Sequence, residues 1–386
     1  MNGKNSRQFA NKISVFAANG GIMKNILLAI SGLTPQIVTE TLFVLAVKNR
    51  LPVDEIYIVT TMRGKDVIEG KDKGHTTPDV PLKREIQKLC KEFGIKTPKF
   101  SVLKNVIVAE EESNELYDIK TDKENKLFPN KLAELLKKLT AQPDVVIHAS
   151  LSGGRKSMSA HLALVMSLFA RAQDKLYHIV TDEKFEFKNF YPKTREEENA
   201  LILAEIPFVR LRCLNDPMLK ANESYSALVD KTQKRLNFLM ENEALIIDLN
   251  EYTVRYKDRF VVLTPIHISL YYFFVKRKKD LGQGIAKHEL INLEFAEKVH
   301  GFLVENLGVN LLANKSKQQI KMHWATKGFD ESYFNTAKSK INSNISTLFE
   351  NKDVAGEFII SKKGRHGSPV YYIKAPKDKL KIINYE

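Results

Sequence analysis

Residues Ser150 to Ser159 read SLSGGRKSMS and bring together the residue types that hold an anion. Gly153 and Gly154 leave backbone N–H groups uncovered, Arg155 and Lys156 supply positive charge, and Ser152 and Ser157 supply hydroxyls. The β-branched run VVIHAS precedes them, and MSAHLALVMSLF, apolar at helical spacing, follows. The glycines therefore mark a strand-to-helix junction, where the positive end of the helix dipole adds to the two cations. A second loop of this kind, SGLTPQ (Ser31 to Gln36, with Gly32 and Thr34 inside it), follows the apolar run NILLAIS. A third candidate, Arg63 in TTMRGKD, follows EIYIVTT.

Such loops need a sheet to hold them. NILLAIS, EIYIVTT, VVIHAS and KLYHIVT read as buried strands, and QIVTETLFVLAVKNR, PLKREIQKLCKEF and FPNKLAELLKKLT read as amphipathic helices between them. That alternation predicts an α/β fold with a doubly wound, mostly parallel sheet, whose ligands bind outside the carboxyl ends of the strands. Both glycine loops fall at such ends.

A chain of 386 residues with 43% hydrophobic content has room for about two or three domains. Its two cysteines, Cys90 and Cys213, have neither disulfide nor metal spacing and fit a reducing cytoplasm. No apolar run is long enough for a bilayer, so no membrane partner is expected. Residues 1–22 read as a disordered leader. The net charge of +14 points to an anionic partner and divides evenly between residues 1–215 and 216–386.

The pattern changes after Asn215. Residues 216–240 read as a linker helix, and ALIIDLNEYTVRYKDRFVVLT alternates as a hairpin turning near Asn250 and Glu251. TPIHISLYYFFVKRKKD opens a helix with Thr264 as N-cap and Pro265 at the first position. DESYFNTAKSKINSNISTLF puts Ala337, Ile341, Ile345 and Leu348 on one face, with Lys338, Lys340, Asn342 and Asn344 elsewhere. GEFIISKKGRHGSPVYYIKA reads as two strands around a basic tip. Residues 241–386 thus read as an α+β winged helix-turn-helix, similar to the DNA-binding domain of response regulators. Its candidate DNA contacts are Lys338, Lys340, Lys362, Lys363 and Arg365, with double-stranded DNA as a further partner.

Residues 23–215 carry a resemblance of their own. ISGLTPQIVTETL, HASLSGGRKSMS and LAEIPFVRLR, in that order, resemble the CRISPR-associated Rossmann fold (CARF) family and its ring-nuclease branch. The resemblance implies a homodimer that binds a cyclic oligoadenylate, most closely cyclic tetra-adenylate, across a twofold axis and cleaves it, switching off type III CRISPR signalling. No cofactor or metal is implied, because cleavage to a 2′,3′-cyclic phosphate requires only a neighbouring 2′-OH held in line. On this reading Lys156 stabilises the reacting phosphate and the N–H groups around Gly153 and Gly154 assist. Ser31 and Thr34 orient the ribose or phosphate, Gln36 reads an adenine edge or caps the helix, and Arg63 holds a second phosphate. Gly32, Ser152, Arg155 and Ser157 complete the ligand-binding set.

The residues also have plainer readings. Ser31 and Thr34 suit N-caps, Arg63 a surface arginine, and His148 a core position rather than a general base. Glu110 to Glu112 read as a solvated turn. YDIKTDKEN (Tyr117 to Asn125) reads as a solvated loop, or as a lid over the ligand. The Arg155/His161 spacing of HEPN ribonucleases is treated as accidental, since both residues belong to one loop and its helix. Three functions follow: a ring nuclease, a ligand-controlled transcription regulator without ring cleavage, and a receptor whose C-terminal domain contacts another protein.

Overall fold

The computed structural model describes residues 23–72, 80–111, 114–186, 189–215, 224–305, 331–364 and 369–383. The leader assigned to residues 1–22, and Arg365, lie outside the described residues. The chain forms two compact units, divided after Asp230.

The first unit has eight strands: β1 (Lys24–Ile30), β2 (Glu55–Thr60), β3 (Val106–Val108), β4 (Glu110–Glu111), β5 (Asn114–Glu115), β6 (Val145–Ser150), β7 (Lys175–Val180) and β8 (Ile202–Glu205). Six of them form one sheet in the order β3-β2-β1-β6-β7-β8. All neighbours are parallel except β8, which runs antiparallel to β7 at the edge. The chain winds outward from β1 to β3, then returns beside β1 with β6. The winding direction therefore reverses between β1 and β6, where a crevice opens at the carboxyl end.

Helices cover both faces, which is why β1 is apolar without alternation. Ile26, Leu28 and Ile30 face α4 (Asp122–Thr140) and α5 (Lys156–Phe169), labelled after α1 (Gln36–Phe43), α2 (Met62–Ile68) and α3 (Leu82–Glu92). Leu27 and Ala29 face α1 and α3 in a separate core cluster. Cutting a fully buried residue such as Leu28 back to alanine costs about 2–5 kcal/mol.

A buried ion pair fastens the end of α5 to the start of the next strand. The Arg171 guanidinium bonds both carboxylate oxygens of Asp174 at 2.9 Å and donates to the carbonyls of Gln142 and Val145. Asp174 in turn accepts from the backbone N–H groups of Ile147 and Arg171.

Three local expectations are corrected. YDIKTDKEN is a loop only to Thr121, because Thr121 and Glu124 form a reciprocal capping box that starts α4 at Asp122. The acidic run is a hairpin: β4 pairs with β5, and Glu110 and Glu111 bind Lys131 and Lys123, with Glu112 outside the described residues. Neither Ser31 nor Thr34 caps α1, whose N-cap is Pro35 without a side-chain bond.

The division between the units falls within α6 (Tyr225–Met240). The second unit then shows β9 (Leu245–Asp248), β10 (Thr253–Tyr256) and β11 (Arg259–Val262), which make two hairpin turns rather than one. Next come α7 (Pro265–Leu281), β12 (Ile285–Ala286), α8 (Leu293–Glu305), α9 (Glu331–Ser346), α10 (Lys352–Phe358), β13 (Ser361–Lys363), β14 (Val370–Tyr372) and β15 (Leu380–Ile383). The Thr264 hydroxyl caps α7, Pro265 occupies its first position, and Gly282 ends it with φ 64°. The sheets are ordered β11-β10-β9-β15 and β12-β14-β13. Ala337, Ile341, Ile345 and Leu348 are buried in this unit's core. Asn342 does not face outward: its amide exchanges hydrogen bonds of 3.0 and 2.8 Å with the Ile360 backbone.

Candidate functional site

Three loops meet at the carboxyl end of the sheet, where the winding reverses. A β-carbon on Gly32, after β1, would stand 2.8 Å from the Cα of Gly154, after β6. A β-carbon on Gly64, after β2, would stand 2.0 Å from the Thr60 hydroxyl and 3.1 Å from the Ser31 carbonyl. Gly153 and Gly154 have φ of 108° and 69°, conformations costly to any residue with a β-carbon. Gly32 lets backbone approach backbone, while Gly153 and Gly154 leave room for the side chains of Ile37 and Met158, so none of the three has space for a side chain of its own.

The neighbouring polar residues divide into fastened and unfastened groups. Thr60 donates a 2.5 Å hydrogen bond to the Ser31 carbonyl, and the Thr61 hydroxyl accepts from Gly64 N–H. The buried Ser152 hydroxyl accepts from Ile179 N–H at 2.7 Å and lies 3.0 Å from His178 Nδ1, so it ties the loop to β7. Ser31 Oγ and Gln36 Oε1 are buried without a hydrogen-bond partner among the described residues. Leaving such a group unpaired costs about 1–3 kcal/mol. Thr34 and Ser157 are half-buried.

The two cations differ. Arg155 donates from Nε and Nη2 to the two oxygens of Asp118, at 2.9 and 2.6 Å. This pairing holds the Asp118 carboxyl below the usual carboxylate range. Lys156, the first residue of α5, is exposed and has no partner among the described residues. Arg63 lies in the first turn of α2 and pairs with Asp72 at 3.4 Å. The crevice thus gathers Ser31, Gly32, Gly153, Gly154, Arg155 and Lys156, with Arg63 on the adjoining β2 side.

Asp118 is the residue that sequence reading missed. It sits inside YDIKTDKEN, a polar stretch without a motif, and only its pairing with Arg155 reveals it. His148 is a core residue whose Nε2 lies 3.1 Å from Asn25 Oδ1, and burial pushes its pKa down to about 4. His161 lies 3.3 Å from Asn125 Oδ1 between the rings of Phe128 and Tyr225, whereas Arg155 is paired with Asp118. They do not form a common site.

In the second unit the predicted DNA contacts separate into two places. Lys338 lies over the Tyr371 ring at 5.1 Å, and burial followed by the charge of Lys362 lowers its pKa. Lys363 is exposed over Tyr372. Lys340 is exposed and acts electrostatically on His267, at the start of α7. Among the described residues no three His, Cys, Asp or Glu side chains are grouped as a metal ion would need, and no helix is long and apolar enough to cross a membrane.

Comparison with known proteins gives the following. No curated protein matches the chain. A solved structure of Enterococcus italicus Csm6 bound to cyclic hexa-2'-fluoro-hexa-dAMP aligns over 87% of this chain and 98% of its own, with 9% identity and a TM-score of 0.31. At that score the fold rests on the topology above. The family described as CRISPR-associated protein NE0113 (Cas_NE0113) matches residues 34–237, which include α1 and every strand of the main sheet after β1. With more than half of its length matched, the chain belongs to this CRISPR-associated family.

Proposed function

We propose that the protein is a CARF-type accessory protein of type III CRISPR defence that binds a cyclic oligoadenylate, most closely cyclic tetra-adenylate, and cleaves it. The observation that carries this reading is the meeting of Gly32, Gly64 and Gly153–Gly154 at the β1/β6 crevice, with Lys156 exposed beside them. Glycine loops without side chains of their own, with a cation at their edge, suit a phosphate that must be approached closely.

Two copies of the crevice around a twofold axis match a ring with repeated phosphates. Lys156, Ala160 and Leu164 are exposed at successive turns of α5, a strip that leads from the crevice and suits pairing with a second copy. In the reaction the ribose 2′-oxygen attacks phosphorus and the P–O5′ bond breaks. The 2′-OH proton passes to the leaving O5′, and a 2′,3′-cyclic phosphate remains. Lys156 and the N–H groups at Gly153 and Gly154 stabilise the charge on phosphorus oxygens as it develops. Ser31 and Thr34 hold the ribose in line, and Gln36 Oε1 accepts from an adenine edge. Arg155 and Arg63 bind phosphate, Ser157 adds a hydroxyl at the start of α5, and Ser152 and Gly32 act through the shape of the loops.

Pure protein incubated with cyclic tri-, tetra- and hexa-adenylate in EDTA tests the reading. Linear products ending in 2′,3′-cyclic phosphate are expected from the tetra-adenylate, and an intact ring after long incubation with excess protein would overturn cleavage.

A second reading has its own support. Helix α7, strand β12, α8 and α9 precede the β13/β14 pair as in a winged helix, with the short α10 inserted between α9 and β13, and the sheet order β12-β14-β13 is the one that fold uses. Past Glu331 the exposed positions of α9 are Ser332, Thr336, Ser339, Lys340, Ser343 and Asn344, with no acid among them. Hydroxyl, amide and amine groups of this kind read base edges, so ring-dependent DNA binding is proposed as the alternative function.

A further inference from the structure

We propose that Asp118 is a positioning residue for the ring phosphate: it grips one edge of the Arg155 guanidinium so that the opposite edge is presented to the ligand. The proposal rests on the ring-binding reading above and adds a residue to that site.

A guanidinium carries five N–H donors in a flat fork. Asp118 takes Nε and one Nη2 hydrogen, and no hydrogen bond engages Nη1 among the described residues. The Nη1/Nη2 edge therefore stays available for a second bidentate partner, and phosphate fits it. Exposure orders the pair in the same sense. The Asp118 side chain is 12% exposed and that of Arg155 49%, so the carboxylate lies beneath and the guanidinium above.

Asp118 is itself held. Ile119 N–H donates to its Oδ1 at 2.7 Å, and the side chains of Leu116 and Ile119 are buried on either side. The carbonyls of Leu116 and Tyr117 accept from Met62 and Arg63 N–H at 2.8 and 3.1 Å, and Leu116 N–H donates to Ala109. The segment thus binds the start of α2 on one side and Arg155 on the other, joining the β2 and β6 loops. A long side chain fixed in this way loses little rotamer freedom when a ligand arrives.

The opposite role, a latch in which Asp118 competes with phosphate for Arg155, predicts the opposite sign. Affinity for cyclic tetra-adenylate and single-turnover cleavage would be measured for the full chain, Asp118→Asn, Arg155→Ala, the double variant and Arg155→Lys. Expected are a roughly tenfold loss of affinity for Asp118→Asn and at least that for Arg155→Ala, with the double variant no weaker than Arg155→Ala. For Asp118→Asn the loss falls on affinity rather than on the rate at saturating ring. Arg155→Lys, which keeps the charge but not the fork, loses as much as Arg155→Ala and gives the answer should Asp118→Asn fail to fold. Unchanged or tighter binding by Asp118→Asn, additive losses in the double variant, or wild-type affinity in Arg155→Lys would overturn the proposal while wild-type binding still supports the ring reading. A wild-type protein that binds none of the three rings would overturn both.

Discussion

Gly32 and Gly154 lie so close that a β-carbon on the first would stand 2.8 Å from the Cα of the second. The approach is backbone to backbone, so a methyl group there must push the β1 and β6 loops apart. Gly32→Ala is expected to weaken cyclic tetra-adenylate binding by about tenfold or more, because preorganised geometry at this scale governs affinity. Binding titration of Gly32→Ala against wild type checks this, and equal affinity would show that the crevice is not where the ring sits.

Lys156 and Arg155 are expected to fail differently. Lys156→Ala should lower single-turnover cleavage by about 100-fold while affinity falls by less than about threefold, because an ammonium aimed at developing charge acts mainly in the transition state. Arg155→Ala should weaken both. Equal effects on affinity from the two variants, with turnover of bound ring unchanged by Lys156→Ala, would assign Lys156 to binding alone.

The Arg171–Asp174 pair makes a prediction about stability alone. Removing one member leaves the other charge buried, so Asp174→Ala is expected to lose about 3–5 kcal/mol in urea unfolding. The pair lies at the amino end of β7 and the carboxyl end of α5, away from the crevice loops. Asp174→Ala protein that remains folded should therefore bind the ring as wild type does, and a selective loss of binding would contradict this placement.

His148 contributes a pH dependence. Its pKa is about 4 in the fold against an ordinary value near 6.5, so the unfolded chain binds the extra proton first as pH falls. Its contribution is present above about pH 6.5 and is lost as pH falls toward 4, amounting to about 3 kcal/mol if the whole difference is expressed. His148→Gln should lose less stability than wild type between pH 7 and pH 4.5. Parallel pH profiles would show that His148 does not titrate in this way.

For the second unit, duplex DNA binding should weaken steeply with salt. Replacing Lys338, Lys340, Lys362 and Lys363 by glutamine should flatten the slope by about one unit for each phosphate that the variant no longer neutralises. The reciprocal test is that cyclic tetra-adenylate changes DNA affinity in wild type. Failure to retard any duplex at low salt, together with full ring cleavage by a chain ending after Met240, would leave a protein-binding role for this unit.

The sheet was legible because β1, β2 and β6 are mostly buried, apolar runs, as strands covered on both faces are, whereas β7 alternates and exposes His178 and Val180. The crevice was legible because Gly32, Gly153 and Gly154 stand where a side chain cannot fit. Asp118 was not legible, since one aspartate in a polar stretch has no pattern and its partner lies 37 residues further along the chain. The start of α4 was hidden by charged residues, although Thr121 and Glu124 carry a capping signal. Asn342 misled because a helical wheel assigns a polar residue to solvent, while this one satisfies the backbone of Ile360.

The pairing of β1 with β6, running from Lys24↔Val145 to Ala29↔Ser150, has a consequence for synthesis. The central strand must wait for a neighbour more than a hundred residues downstream before its second edge is covered. Pairing at such separation slows folding and leaves an open edge on the growing chain. Until that neighbour leaves the ribosome, Gly32 has no Gly154 to meet. Half-made chains therefore lack the β1/β6 crevice, which closes in one step, late in the making of the first unit.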